Sequence, residues 1–419
     1  MAKKNKTVVV NLDAFVPSGQ TIGELDDGRK IFVWGGLPGE ECKVAITKSK
    51  TKFAQGIVVE VIQPSKQRVE PKDGAFLSTS PWQIVPWKME NTEKHRLLKE
   101  TFAQQGIEVE FDWHNDEQQW AYRNKMEFSF WWDHDTGLEL AFHMRGARHR
   151  LPVEGSSLAM EEINRAARGI RDALRVAEVE ARVLKTLMLR ADRNGSVYAA
   201  LFVKDKDFQP PTDIEKTVDG LKIYFSNPKS PASVSTKLLH AFGEDKIVDK
   251  ILDTELTYSV ESFFQVNIPV FEQALRDIKK FTTESDATSI VDLYSGVGSI
   301  GLSVGAHTLV DSDTESIRFA KMNAANNETV IHSTSEQAVE HINSADILIV
   351  DPPRAGLHGY VTDAIEEYQP RYVVYLSCNP ATQARDIGHL GSYKITAAKG
   401  YNFFPKTPHI ESLVILEKT

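Results

Sequence analysis

The chain has 419 residues, 41% hydrophobic and 26% charged, with a formal net charge of −9. That length exceeds one ordinary core and points to two or three domains of soluble globular composition. No apolar run reaches the roughly 18 residues of a membrane span, and the two cysteines, Cys42 and Cys378, are too few for a zinc or iron–sulfur site or a disulfide framework. Met1-Ala2-Lys3-Lys4 has no apolar stretch behind its lysines, so no secretory signal is expected and a reducing cytoplasm is the expected home.

In chain order, residues up to about 65 read as five short strands (7–12, 19–25, 30–34, 41–46 and 56–62). Turns fall at Asp26-Asp27-Gly28, Gly35-Gly36 and Pro38-Gly39. They predict a small barrel of the OB kind, with an SH3-like barrel left open. Lys43, Lys48, Lys50, Lys52, Lys66, Arg68 and Lys72 make this part locally basic. On charge alone, a solvated lysine face explains them as well as nucleic-acid contact does.

Residues 64–86, with prolines at 64, 71, 81 and 86, read as a linker. The spacing predicts a helix over 90–105, with Lys94, Arg96 and Lys99 on one side and Leu97, Leu98 and Phe102 on the other. Strands follow between 122 and 150, a stretch rich in Trp131, Trp132, Arg145, Arg148, His149 and Arg150. An antiparallel sheet with one packed face explains it better than an RNA surface. A helix is expected from 158 to 187, then strands at 196–203, 221–225 and 256–259. At 266–281 Asn267 is the expected cap, Pro269 an early helical residue, and Phe271, Ala274, Leu275 and Ile278 the apolar stripe. Strand–helix alternation then predicts a doubly wound parallel sheet, closed by an antiparallel pair (393–401 and 410–417) at one edge. The fold class is α/β in three parts: an OB-like barrel (1–65), a linker and α+β central domain (66–262), and a Rossmann-like domain (263–419).

The chemistry lies at strand ends in this last part. The run 289–295 leads into Gly296-Val297-Gly298-Ser299, where glycines let backbone approach a ligand in front of a helix N-terminus. Asp311 ends the next strand and suits a ribose. Tyr294 and Ser295 precede the glycines, and Asp311 arrives sooner than in a dinucleotide fingerprint, which favours S-adenosylmethionine. Asp351-Pro352-Pro353-Arg354 forms a rigid loop holding an acid beside a flat substrate. Cys378, before Asn379-Pro380, stands at a helix N-terminus whose dipole is expected to stabilise its thiolate. His409 and Glu411 share one strand face. His409 is read as a structural hydrogen-bonding residue and Glu411 as the candidate base. Phe263 and Gln265 flank the domain entrance, for base stacking or cofactor contact against the blander reading of core packing.

These residues resemble the S-adenosylmethionine-dependent RNA uracil-5-methyltransferases that carry an N-terminal TRAM domain. The likeness rests on Phe-Gln-Val-Asn at 264–267, Asp-Leu-Tyr-Ser-Gly-Val-Gly at 292–298, Asp-Pro-Pro-Arg-Ala-Gly at 351–356, Ser-Cys-Asn-Pro at 377–380 and Thr-Pro-His-Ile-Glu at 407–411. It implies cofactor contacts from Gln265, Tyr294, Ser299 (often Asn in the family), Asp311 and Asp351, beside the cofactor contact expected of Gly296 in the glycine turn, with Cys378 as nucleophile and Glu411 as base. Phe263 and Arg354 are the expected substrate contacts. Uracil carbon 5 is a weak nucleophile, and thiolate addition at carbon 6 is what activates it. Many relatives hold an iron–sulfur cluster on four cysteines; here 77–83 and 152–156 contain none, so no cluster and no metal is expected. The implied partner is RNA, with 23S ribosomal RNA first and the T-loop of transfer RNA second, acted on by a monomer without membrane contact. Two rivals, a methyltransferase acting on an exocyclic base nitrogen and a non-catalytic RNA-binding or chaperone protein, have no use for Cys378.

Overall fold

A computed structural model describes residues 6–230, 232–325 and 327–419. The first five strands are β1 (Thr7–Phe15), β2 (Thr21–Glu24), β3 (Lys30–Trp34), β4 (Glu41–Ser49) and β5 (Phe53–Gln63). They close in the order β1-β2-β3-β5-β4 around Val10, Leu12, Ile31, Val33, Cys42 and Val44. Alternation of apolar and polar side chains along each strand fills this interior.

The segment expected as a linker is packed instead. It holds α1 (Phe76–Thr79) and a 3-10 turn at Pro81–Ile84 whose four residues are all buried. Gln83 binds it together: its Oε1 accepts from the main-chain N–H of Lys72 (2.9 Å) and Asp73 (3.1 Å), and its Nε2 donates to Asp73 (2.8 Å) and Ser80 (2.7 Å). Asp73 in turn accepts from the main-chain N–H of Ser157 at 3.0 Å. This polar network ties Ser80 and Gln83 to Ser157, the residue that follows the 152–156 stretch. Among the described residues, no group of three or more His, Cys, Asp or Glu side chains is placed to hold a metal.

Helix α2 (Trp87–Ala103) and β6 (Asp112–His114) follow. The central sheet comprises β7 (Lys125–Asp133), β8 (Gly137–His143) and β9 (Arg150–Pro152), then α3 (Glu161–Val176), β10 (Leu184–Ala191), β11 (Val197–Val203), β12 (Gly220–Phe225) and β13 (Lys237–Gly243). Its order is β13-β12-β11-β10-β7-β8-β9, and α3 lies in the core formed on one face. The helix expected to run to 187 stops at Val176, because Leu184–Ala191 is claimed by the middle of this sheet. The other face presents Met188, Ala200 and Phe202 to the core of the C-terminal part. The hairpin β14 (Ile247–Ile251) and β15 (Thr254–Tyr258) packs into that same core.

The C-terminal part runs α4 (Ile268–Glu284), β16 (Ile290–Leu293), α5 (Gly301–Val304), β17 (Thr308–Asp311), α6 (Thr314–Asn323), β18 (Thr329–His332), β19 (Ile347–Val350), α7 (Gly359–Tyr368), β20 (Tyr372–Ser377), α8 (Pro380–Ile387), β21 (Tyr393–Tyr401) and β22 (Glu411–Lys418). The sheet order is β18-β17-β16-β19-β20-β22-β21-β6. Strands β16 to β20 are parallel; β22 inserts antiparallel between β20 and β21. The antiparallel pair is therefore not the edge. Residues 112–114, placed in the central part by the sequence, pair with β21 and form it. Helix α2 contributes Leu97, Leu98 and Phe102 to the same core as β19 and β20. Asn267 makes no side-chain cap; its Nδ2 donates to the Phe403 carbonyl at 3.0 Å, fixing a distant loop instead.

Candidate active site

Chain order reverses direction across this sheet between β16 and β19, and ligands of open α/β sheets bind at the carboxyl ends of strands flanking such a point. Register builds the site there. Leu293 pairs with Val310 and with Val350, so Tyr294, Asp311 and Asp351 emerge side by side one residue further on. Ser377 pairs with Ser412 in the antiparallel β20–β22 ladder, and the next step sets Cys378 opposite Glu411. The inserted antiparallel strand thus brings its first residue to the edge where its neighbours end.

All ten expected residues line one cleft of about 1260 Å³: Phe263, Gln265, Tyr294, Gly296, Ser299, Asp311, Asp351, Arg354, Cys378 and Glu411. Tyr294 is held at φ +65°, a left-handed conformation that costs a tyrosine roughly 1–3 kcal/mol. Gly296 (φ +58°) gives its N–H to Asp311 Oδ2 at 2.8 Å, and a side chain added there would meet nothing within 4 Å. The turn is shaped from behind by buried Asp292, whose Oδ2 accepts from the Gly301 N–H at 2.8 Å. A Cβ on Gly301 would lie 2.4 Å from Leu309 and 2.7 Å from Asp292, so only glycine fits. The helix expected behind the turn is present as a single turn of four residues. Asp311 also accepts from Asp313 N at 2.8 Å. Gln265 is 7% exposed, with its carbonyl bonded by Asn124 Nδ2, while Phe263 stands 69% exposed at the mouth.

The acid–thiol end is electrostatically costly. Glu411 is 1% exposed, and neither carboxyl oxygen has a hydrogen-bond partner. Burial, then the charge of Asp351, holds its carboxyl well above the usual range, with Arg354 opposing. Burial likewise raises Asp351. Cys378 is half-buried and faces the cleft, but its thiol is pushed up to about 11 by burial, Glu411 and Asp351, against a smaller opposite effect of Arg354. The thiolate stabilisation expected from the α8 N-terminus is opposed here by desolvation and by two carboxyls. Arg354 Nη2 lies 3.3 Å from His409 Nδ1, the structural contact expected for that histidine, and burial lowers His409 to about 4.

The loop leading into Glu411 is held from several sides. Lys94, expected on a solvent face, is fully buried and donates to Glu90 Oε1 (2.9 Å), Asn402 Oδ1 (2.7 Å) and the Phe404 carbonyl (3.0 Å). Glu90 also accepts from the Lys406 N–H at 2.9 Å, and Tyr122 donates to the Pro405 carbonyl at 3.0 Å. The sequence reading missed this network, although Glu90 and Lys94 stand four apart. It also missed Ser335 and Glu336, after β18, and Arg123, Lys222 and Tyr224, from the central part, which complete the cleft. Only Asp292, an acid inside an apolar strand, carried a local signal.

The donor set fits S-adenosylmethionine. An open glycine turn, Asp311 at the adjacent strand end and the unpartnered Ser295 hydroxyl suit an adenosine, and the carboxyls of half-buried Asp351 and buried Glu411 at the reactive end suit a positive sulfonium.

Comparison with known proteins gives one consistent result. Residues 87–419 match the family model for tRNA (uracil-5-)-methyltransferase, and residues 2–59 match that for the TRAM domain. A protein of Enterococcus faecalis described as an uncharacterized RNA methyltransferase is 28% identical over 99% of this chain and 98% of its own. One of Streptococcus mutans with the same description is 28% identical over the whole of both chains. The crystal structure of the Pyrococcus abyssi tRNA (uracil-54, C5)-methyltransferase in complex with S-adenosyl-L-homocysteine superposes with a TM-score of 0.78 and 22% identity, covering 98% of this chain and 100% of that one.

Proposed function

The chain belongs to the tRNA (uracil-5-)-methyltransferase family, and from that premise we propose that it methylates carbon 5 of a specific uridine in RNA through a covalent bond between Cys378 and the uracil ring. The observation that carries this reading is the β20–β22 register, which sets a thiol and an unpartnered carboxyl opposite each other on one cleft.

When bound, S-adenosylmethionine supplies an electrophilic methyl group on a positively charged sulfonium. Gln265, Tyr294, Gly296, Ser299, Asp311 and Asp351 would hold it. Phe263 offers an exposed ring on which an extruded base can stack. Cys378 loses its proton to solvent and adds through Sγ to carbon 6, which shifts electron density to carbon 5 as an enolate. Arg354 is the cation that favours the thiolate. Once carbon 5 carries the methyl group, the Glu411 carboxylate takes its remaining proton. The electron pair re-forms the 5,6 double bond, and the Cys378 thiolate leaves. A positive charge in the cleft draws Asp351 and Glu411 toward their ionised forms, the state Glu411 needs as a base.

We place 23S ribosomal RNA first as the target, supported by the N-terminal TRAM match, with the protein acting as a cytoplasmic monomer. The second reading, a T-loop uridine of transfer RNA, is favoured by the family's description and by the name of the Pyrococcus abyssi enzyme. Mass-spectrometric mapping of 5-methyluridine in both RNA pools, from cells with and without the protein, decides between them. Loss of one site in one pool is the expected result; unchanged 5-methyluridine in both removes the proposal. Cys378→Ala is expected to bind RNA and transfer no methyl group, whereas a nitrogen methyltransferase or an RNA chaperone would be indifferent to that change.

A further inference from the structure

Cys378 and Arg354 have a second open side. A smaller cleft of about 260 Å³ lies against both residues and shares only them with the large one. Its walls come from distant parts of the chain: Pro17 and Ser18 from the barrel loop between β1 and β2, Thr101 from α2, Asn379 from the entrance to α8, and His409.

The barrel loop is fixed there. Gly19 (φ +82°) lies so close to Pro408 that an added Cβ would fall 2.0 Å from the proline Cβ. The Gly19 carbonyl accepts from Trp82 Nε1 at 2.8 Å, and the Phe15 carbonyl from Arg96 Nη2 at 3.0 Å. Pro17 and Ser18, between these anchors, remain exposed. The barrel thus presents a rigid, solvent-facing tip beside the reactive sulfur. Arg354 is exposed, and its guanidinium contacts the His409 ring, whose lowered value keeps it neutral near pH 7. The His409 ring therefore adds no charge of its own to this cleft, and the nearby carboxyls of Asp351 and Glu411 line only the large one.

An RNA strand whose target base enters the large cleft must continue past Arg354 in at least one direction. We propose that the small cleft is a subsite for the nucleotide adjoining the target uridine in the same strand, with its phosphate on Arg354 and the β1–β2 loop as its outer wall. The inference rests on the proposed RNA methylation. It makes the barrel part of target selection at the reacting atoms, in addition to any binding elsewhere on its surface.

The test fills or repels from the exposed tip, where Ser18 donates only to Gln20 Oε1 at 3.3 Å: Ser18→Trp to occupy the cleft and Ser18→Asp to oppose a phosphate. The probe is total RNA from cells lacking the protein, with tritiated methyl donor. Both variants should keep the wild-type melting temperature and S-adenosylmethionine affinity while losing about tenfold or more in kcat/KM for RNA. Values within about twofold of wild type for both variants overturn the subsite. Wild-type protein that forms no 5-methyluridine from this RNA overturns the underlying reading instead, and the subsite with it.

Discussion

Replacing Glu411 by Gln should make the protein more stable and stop it from completing its reaction. Glu411 is buried without a hydrogen-bond partner on either oxygen, and burial together with Asp351 raises its folded-state value above the roughly 4.3 of an unfolded chain. A group raised on folding binds its proton more tightly in the native state. Stability is therefore fully present below the unfolded value and falls as pH rises through the folded one. At about pH 8 the native protein carries the cost of a buried charge, or holds a proton the unfolded chain would release; an amide has no charge to desolvate and no proton to release. The amide is itself left without partners, so the gain is the ionisation part alone, about 1.4 kcal/mol for each unit by which folding raises the carboxyl. That corresponds to about 2–4 °C of melting temperature per kcal/mol in a domain of this size. Melting curves of the two proteins should separate at about pH 8 and converge near pH 4, where both side chains are neutral. With RNA and methyl donor, Glu411→Gln should accumulate a denaturation-resistant protein–RNA adduct, because Cys378 can add and no base removes the carbon 5 proton. A variant less stable than wild type at pH 8, or one that turns over normally, would refute the reasoning.

Other perturbations test separate parts of the site. Cys378, pushed up to about 11, should react with iodoacetamide slowly near pH 7, with the rate climbing about tenfold per pH unit toward pH 10. A plateau already reached at pH 7 would show a depressed thiol instead; Cys42, fully buried in the barrel and pushed up to about 12, should stay unlabelled in the native protein. Lys94→Met leaves Glu90 buried with one cation fewer, and urea unfolding should show a loss of about 3–5 kcal/mol, with methyl transfer impaired through the loop before Glu411. Gln83→Leu removes the acceptor of two N–H groups and should cost about 1–3 kcal/mol, seen as faster proteolysis within 64–86 at unchanged cofactor affinity.

What the sequence made legible were features decided by neighbours along the chain. Closely spaced turns announced the barrel. Each strand of the last sheet ended in a short motif, and those motifs met because parallel strands end on the same side. What it hid was decided by partners far away. A helical wheel puts Lys94 outside; Asn402 and Phe404 draw it inside. Leu184–Ala191 lacks alternation because both faces of β10 are covered, so it read as a continued helix. Prolines at 64–86 suggested a loose linker, while Gln83 and Asp73 tie that segment to Ser157. Strands β13 and β14 passed unread, the first of them largely solvent-exposed and so without a clear apolar face. For Cys378 the helix behind it and both carboxyls were named from the sequence, but not the burial they share, which raises the thiol rather than lowering it.

The unpaired groups of the cleft then have a common explanation. Native proteins leave few buried polar atoms without partners, yet Ser295 Oγ, Asp292 Oδ1 and both oxygens of Glu411 are in that condition within one region, beside a tyrosine held at positive φ. Ser295 and Glu411 face the cleft and Asp292 stands directly behind its glycine turn. Ser295 Oγ and the Glu411 carboxyl, which face the cleft, would gain a partner or a compensating charge from a cationic nucleoside, while Asp292 shapes the turn that receives it. A ligand that binds only the folded state stabilises it in proportion to the logarithm of its concentration over Kd, so the deficit becomes binding energy. The same burial raises both Glu411 and Cys378, and a positive charge in the cleft would lower both.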